Sequence, residues 1–391
     1  VIAAQVLVQI GAFNLPALLP AYLAAWSLSK TEAGWLIGIF FAAYVAAVPV
    51  LVSLTDRVAA RRIYLIGAGC TALSHLGFAF VADGFWAGML LRAVAGVGWA
   101  GCYMPGLKAI TDSLAGPEQS RAVSWHAAGV GIAGACSFLV AGVLDALAGP
   151  RAAFLFGGVA ALAACLIALR ALPASPPVAP PGPARGLLDF RPVLRNRPAL
   201  GWIIGYTVHT WELAALRAWS VTFLTAAAAR EALPDWVPGP TVIVTAIGLA
   251  CIAVSVTGNE TAQRHGRRRV VTWAMAAAAL ASLLAGWTAG LSFWLAAAAV
   301  LAWNAAIYLD SSALTAGTVQ AAAPGMRGAT MGLHSMAGYA GAFLGPLGVG
   351  LVLDWAGDRA LLGWGLGFGH LAAVTLGGLW LLRRLSGPPA A

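Results

Sequence analysis

Five ionisable side chains fall deep inside long apolar runs of this chain: Arg92, Lys108, Glu212, Arg217 and Asp310. Placing such a group in hydrocarbon is costly unless it faces a partner or a water-filled cavity, so each is a functional candidate. Of the 14 acidic residues, Glu212 and Asp310 alone lie far from any loop. The chemistry open to them is proton exchange, since a desolvated carboxyl holds its proton more firmly and a nearby cation loosens it. The arginines suit an anionic partner, because a guanidinium fork pairs bidentately with a carboxylate. Glu212 and Arg217 are five residues apart, about 140° around a helix, so no simple salt bridge along one helix is expected. Glu212 shares its helical face with His209 and Trp219 instead. A structural alternative stands beside this reading: the charges pair with one another to hold helices or gates, for instance Lys108 with Asp310.

The elements that must position these groups are transmembrane helices. The chain has 391 residues, 60% hydrophobic and only 9% charged, against about 25% charged in a typical soluble domain. One crossing of the hydrocarbon layer takes about 20 apolar residues. Hydropathy predicts twelve such spans: Ile2–Ala25, Ala33–Ser53, Ile63–Val81, Phe85–Ile110, Ser124–Leu144, Ala152–Ala171, Ala199–Ala229, Thr241–Thr257, Val270–Thr288, Phe293–Thr318, Ala329–Leu353 and Ala360–Leu382. The alternation of an outer-membrane barrel strand is absent from the sequence. The first run is too long for the core of a signal peptide and lacks a basic start, so it reads as span 1.

The net charge of +9 is distributed by topology. Sixteen basic residues, from Arg57, Arg61 and Arg62 to Arg383 and Arg384, occupy one set of loops. The opposite set holds Lys30, Arg151, Arg230 and Arg359. The positive-inside rule puts the rich side and both termini in the cytoplasm of a bacterial-type inner (plasma) membrane protein, with no nucleic-acid partner. On this topology Arg92 lies about 10 Å from the outer end of span 4 and Arg217 about 30 Å up span 7 from the cytoplasm. Glu212 then sits near the midplane, with Lys108 and Asp310 toward the cytoplasmic half. The five cysteines all fall in apolar spans, without CxxC or Cys/His spacing, and read as packing residues. No metal or cofactor is expected. Without HExxH, a nucleophile motif or a His/Asp cluster, enzymatic activity is not expected either.

The chain repeats itself at an offset near 207 residues. PEQSRA at Pro117–Ala122 matches PGMRGA at Pro324–Ala329. Asp145, Gly149 and Arg151 match Asp354, Gly357 and Arg359, and DRVAARR at Asp56–Arg62 matches QRHGRR at Gln263–Arg268. Two halves are therefore expected, residues 1–171 and 199–391. A proline-rich cytoplasmic linker over 172–198 joins them, and its basic end is expected to lie along the membrane surface.

TDRVAARR at Thr55–Arg62 resembles the cytoplasmic span 2–3 motif G-x-x-x-D-R-x-G-R-R of the major facilitator superfamily. LLRAVAGVGWAG at Leu90–Gly101 resembles its span 4 motif R-x-x-x-G-x-G, and the proline-to-arginine starts of spans 5 (PEQSR) and 11 (PGMR) are also similar. Together these cover nearly the whole chain. Departures are Val52 and Ala59 where the first motif has glycine, and Gly345–Pro346 in span 11 rather than a Gly-Pro in span 5. The resemblance implies an all-α membrane protein of twelve transmembrane helices in two pseudo-symmetric six-helix bundles, working as a monomer by alternating access. It also implies that spans 1, 4, 7 and 10 line a central cavity, and all five buried charges fall on three of these. Asp56, Arg57, Arg61, Arg62, Lys108, Arg121, Arg264 and Arg327 then become candidate gating residues.

Arg92, Arg217, Asn14, Tyr103, Trp211, Asn304 and Tyr308 are the expected substrate-binding residues, with Glu212, Asp310 and His209 for proton coupling. The expected activity is proton-coupled movement of a small organic anion, with protons and membrane lipid as the other partners. A proton-driven exporter of drugs or metabolites is the alternative.

Overall fold

The computed structural model describes residues 1–55, 57–114, 116–172, 174 and 190–387. Asp56 and most of the expected linker lie outside them. Among the described residues every regular element is a helix. In chain order these are α1 (Ile2–Gln9), α2 (Asn14–Ala17), α3 (Leu19–Ala25), α4 (Lys30–Leu54), α5 (Ala60–Phe80), α6 (Phe85–Ser113), α7 (Gly116–Ala148) and α8 (Pro150–Ala171). There follow α9 (Arg191–Arg195), α10 (Arg197–Ala228), α11 (Pro240–His265), α12 (Arg267–Thr288), α13 (Phe293–Ala321), α14 (Arg327–Ala356) and α15 (Ala360–Leu385). Ten of them are long and apolar enough to cross a membrane. The 32-residue α10, which carries Glu212 and Arg217, is outside that set.

The expected continuous helix over Ile2–Ala25 is broken. Between α1 and α2 the chain closes short turns, Ala12 N–H to Gln9 O at 3.0 Å and Asn14 N–H to Gly11 O at 3.1 Å. Pro16 and Pro20 remove helical donors just beyond the break. Phe13 N–H finds Ser137 Oγ on α7 at 3.0 Å instead. Elsewhere the helices outrun the apolar runs that betray them: α6 continues past Ile110 to Ser113, and α10 begins two residues before Ala199. Boundaries fall where the backbone requires it. Gly266 turns between α11 and α12 at φ +89°, a region open to glycine and strained for other residues.

The chain forms two compact units. The first comprises Val1–Ser27 and Ile39–Leu187, the second Leu28–Gly38 and Leu188–Ala391. In the first, α1, α5, α6 and α8 meet through small side chains, with Ala68, Ala72, Ala161 and Ala164 around Val8 and Tyr64. In the second, Trp202 and Val208 of α10 join Val271 and Met275 of α12, Leu314 of α13 and Leu382 of α15. Gly341 and Gly345 let α14 lie directly on α10, where a Cβ would stand 2.2 Å and 2.1 Å from the carbonyl oxygens of Thr207 and Trp211. Small residues at such seams are how helices attract one another in lipid, where apolar side chains gain little by leaving it.

The start of α4 belongs to the second unit for a definite reason. Asp354, near the end of α14, accepts the backbone N–H groups of Lys30 (2.9 Å) and Thr31 (2.7 Å). Ser29 and Glu32 cap each other reciprocally, Ser29 N–H to Glu32 Oε2 at 2.8 Å and Glu32 N–H to Ser29 Oγ at 3.1 Å. Four successive backbone donors that helix geometry leaves orphaned are thereby satisfied.

Beside its apolar cores the chain buries strongly polar groups and leaves large apolar ones exposed, unlike a soluble protein. Gln5, Gln9, Asn14, Arg92, Glu212 and Asp310 are buried, while Leu73, Phe80, Trp86, Leu147 and Leu166 are exposed. Large apolar side chains pointing outward over helical lengths fit a lipid solvent and would drive aggregation in water.

Candidate functional site

In the second unit α10 presents His209 and Glu212 one turn apart, both buried. Glu212 is held by two donors from different helices. Trp303 Nε1–H of α13 donates to Oε1 at 2.6 Å, and the Thr375 hydroxyl of α15 donates to Oε2 at 2.9 Å. Trp303 and Thr375 are themselves buried, at 0% and 1% exposure, so the carboxyl group is tied inside the helix bundle of its own unit. Arg217 points elsewhere: it hydrogen-bonds the Tyr308 hydroxyl and lies 5.8 Å from the centre of that ring.

His209 faces Asp310 of α13, with Nδ1 and Oδ1 2.7 Å apart. Both side chains are nearly inaccessible, which makes this a buried acid–imidazole pair. Tyr206 stacks on His209 at 5.7 Å and on His334 of α14 at 3.8 Å. His334 in turn meets the hydroxyls of Thr318 (Nδ1, 3.1 Å) and Thr315 (Nε2, 3.4 Å). Asp310, His209, Tyr206, His334 and Thr318 thus form a contiguous run of side chains across three helices, hydrogen-bonded at its two ends and joined by ring stacking in the middle. Asn304 shares α13 with Tyr308, one turn away, and its Oδ1 is buried without a hydrogen-bond partner, as is Nε1 of half-buried Trp211. Trp219 is a packing residue: its ring nitrogen donates to Pro346 O at 3.0 Å.

In the first unit Arg92 is 2% exposed. Its guanidinium lies 4.8 Å over the Phe40 ring and reaches the Ala12 carbonyl at 3.5 Å. His75 bridges two carbonyls, Nε2 to Gly11 O at 3.0 Å and Nδ1 to Thr71 O at 2.9 Å. The broken first span therefore offers its carbonyls to Arg92 and His75. Gln9 and the Trp99 ring nitrogen are buried without partners beside a cavity of about 10 Å³, near the smallest space that holds a water, and Gln5, one turn before Gln9, is also buried without a partner. Asn14 donates to Ala153 O at 2.8 Å and so ties α2 to α8. Tyr103 stacks on His126 at 5.6 Å.

Glu212 shares the buried side of α10 with His209 and Trp219, and takes its hydrogen bonds from Trp303 and Thr375. Lys108 pairs with Asp112 one turn along α6 at 2.8 Å, and Asp310 takes His209. Of the gating residues, Arg57, Arg62, Arg121, Arg264 and Arg327 are exposed and Arg61 half-exposed, while Asp56 lies outside the described residues. Sequence reasoning missed Trp303, Thr375 and His75. The available signal was position, since tryptophan favours the ends of a span and Trp303 stands well inside one.

Comparisons with known proteins place this geometry. The fold matches a bacterial homolog of the human lysosomal transporter Spinster in an inward-facing and occupied conformation (TM-score 0.77, 16% identity, covering 100% of this chain and 97% of that one). It also matches the nucleoside transporter NupG (TM-score 0.76, 14% identity, 98% of each chain). A POT family transporter in complex with a thioalcohol-conjugated peptide is similar as well (TM-score 0.75, 12% identity, 96% of this chain and 93% of that one). A comparison with curated protein sequences gives no match. The family model of the Major Facilitator Superfamily matches residues 1–239, more than half of the sequence, and the chain therefore belongs to that superfamily of membrane transporters.

Proposed function

We propose that the protein is a proton-coupled secondary transporter of a small organic anion, crossing a bacterial-type inner membrane twelve times with both termini in the cytoplasm and working by alternating access as a monomer. The observation that carries the coupling is the buried His209–Asp310 pair, with Glu212 one turn along the same helix. A carboxyl group inside a membrane protein is charged only while donors or a cation hold it. Conformational change that alters the contacts of Trp303 and Thr375 with Glu212, or of His209 with Asp310, binds or releases a proton. Arg92 and Arg217 are the residues for the anion, with Tyr308 and Asn304 beside Arg217 for orientation. Arg61, Arg62, Arg121, Arg264 and Arg327 take the gating role.

The relatives of known structure are described as carrying different cargoes, nucleosides and a peptide among them, and a shared fold does not choose a substrate. The test therefore begins with binding. Purified protein is screened by thermal shift against small carboxylates, inorganic anions and lipophilic cations at two pH values. Stabilisation by a carboxylate that is lost in Arg217→Ala or Arg92→Ala supports the anion reading and supplies a probe for flux. In proteoliposomes Glu212→Gln should then spare exchange of that probe while abolishing its accumulation by a pH gradient. Stabilisation by lipophilic cations alone would replace the anion reading with proton-driven export of drugs or metabolites.

A further inference from the structure

The outer face of α15 carries a groove that the transport reading does not use. It encloses about 410 Å³ and is lined by Leu376, Leu379, Trp380, Arg383 and Arg384. Steps of three and one along a helix keep all five on one face. The deeper end is apolar and open, with Leu376 50% and Trp380 57% exposed. At the other end Arg383 and Arg384 are exposed, and the Arg384 guanidinium lies 5.2 Å from the centre of the Trp380 ring.

The neighbouring helix adds charge of the same sign. Arg268 of α12 donates to the carbonyl oxygen of Arg383 at 2.6 Å, which brings a third guanidinium to the end of α15. Arg267, the first residue of α12, has a buried Nε without a hydrogen-bond partner. Neither α12 nor α15 contains an aspartate or glutamate. Three guanidiniums, those of Arg268, Arg383 and Arg384, are thus gathered at one end of two packed helices without an acid on either, directly above an apolar stripe. A free anion would answer the charge and leave Leu376 and Trp380 uncovered. A zwitterionic lipid would cover the stripe and bring a cation to the arginines. Basic pockets at the ends of transmembrane helices, flanked by an aromatic anchor, suit an acidic headgroup with its chains running into the bilayer.

We propose that this groove binds an anionic diacyl phospholipid, with its phosphate on Arg383 and Arg384 and an acyl chain along Leu376 and Trp380. The test is retention of phosphatidylglycerol against phosphatidylcholine of the same chain length by the purified full-length protein, read by native mass spectrometry. Phosphatidylglycerol should be retained preferentially. R383A/R384A should weaken it about 30-fold, at roughly fivefold per arginine removed. R383K/R384K should keep most of the binding, which separates loss of charge from loss of fold. Phosphatidylglycerol with brominated chains should quench tryptophan emission, and W380F should reduce the quenched fraction. Equal retention of the two lipids, indifference to R383A/R384A, or displacement of the lipid by millimolar inorganic phosphate would each overturn the proposal.

Discussion

Glu212 is the residue whose surroundings say most about its use. Both of its oxygens are addressed by donors, and the donors come from helices 91 and 163 residues away. Trp303→Phe keeps the ring and removes one donor, leaving a buried carboxyl oxygen unsatisfied. That should lower unfolding stability by about 1–3 kcal/mol and alter proton-driven accumulation more than exchange. The His209–Asp310 pair calls for a different test, because breaking a buried pair and deleting it are different operations. Asp310→Leu or His209→Leu alone should cost about 3–5 kcal/mol by stranding the partner, while the double variant should recover much of that loss. A thermal or denaturant double-mutant cycle would measure the coupling, and strictly additive losses would count against a direct pair. The two acids were legible in the sequence because charge inside an apolar run stands out. His209 was legible with them, but the two donors to Glu212 were not. The depth of Trp303 in its span hinted at a role, but which carboxyl it and Thr375 serve is fixed only when α13 and α15 are brought against α10.

At the scale of the helix, hydropathy finds the long elements because each must supply its own backbone hydrogen bonds in lipid. It is blind to a break that is bridged by side chains. The interruption at Ile10–Phe13 keeps its apolar composition, and the repair groups Ser137, His75 and Arg92 come from three other helices. Gly11, Pro16 and Pro20 were the local clue. The start of α4 was likewise hidden, since Asp354 acts on it from more than 300 residues away. Asp354→Ala removes a carboxylate from two backbone donors and should cost about 1 kcal/mol, with faster hydrogen exchange at the amides of Lys30 and Thr31. Unchanged exchange there would mean the cap is idle in solution. The seam of α10 with α14 is less forgiving. Gly345→Leu would force a side chain against the Trp211 carbonyl and should cost about 1–3 kcal/mol or prevent folding altogether, read as loss of monodisperse protein.

For the whole molecule the question is which loops share a side of the membrane. The positive-inside rule predicts an answer from the asymmetry of the basic residues, since arginines concentrate in alternate loops and cationic loops resist export. The structure adds that α11 and α12 are joined at Gly266, within a run of arginines from Arg264 to Arg269, while α14 and α15 are joined at Gly357 beside the lone Arg359. If each long helix crosses once, these two turns lie on opposite faces, with α12, α13 and α14 between them. In a variant whose five native cysteines are replaced, Arg264→Cys and Arg327→Cys should react with an impermeant maleimide in inverted vesicles alone. Arg230→Cys and Arg359→Cys should react in right-side-out vesicles alone. The broken first span makes the count sensitive, because α1 to α3 must together cross once for the N-terminal residues to share a side with Arg264. Labelling of Ala3→Cys on the Arg359 side would mean that the broken span fails to cross, leaving eleven crossings rather than twelve and separating the termini.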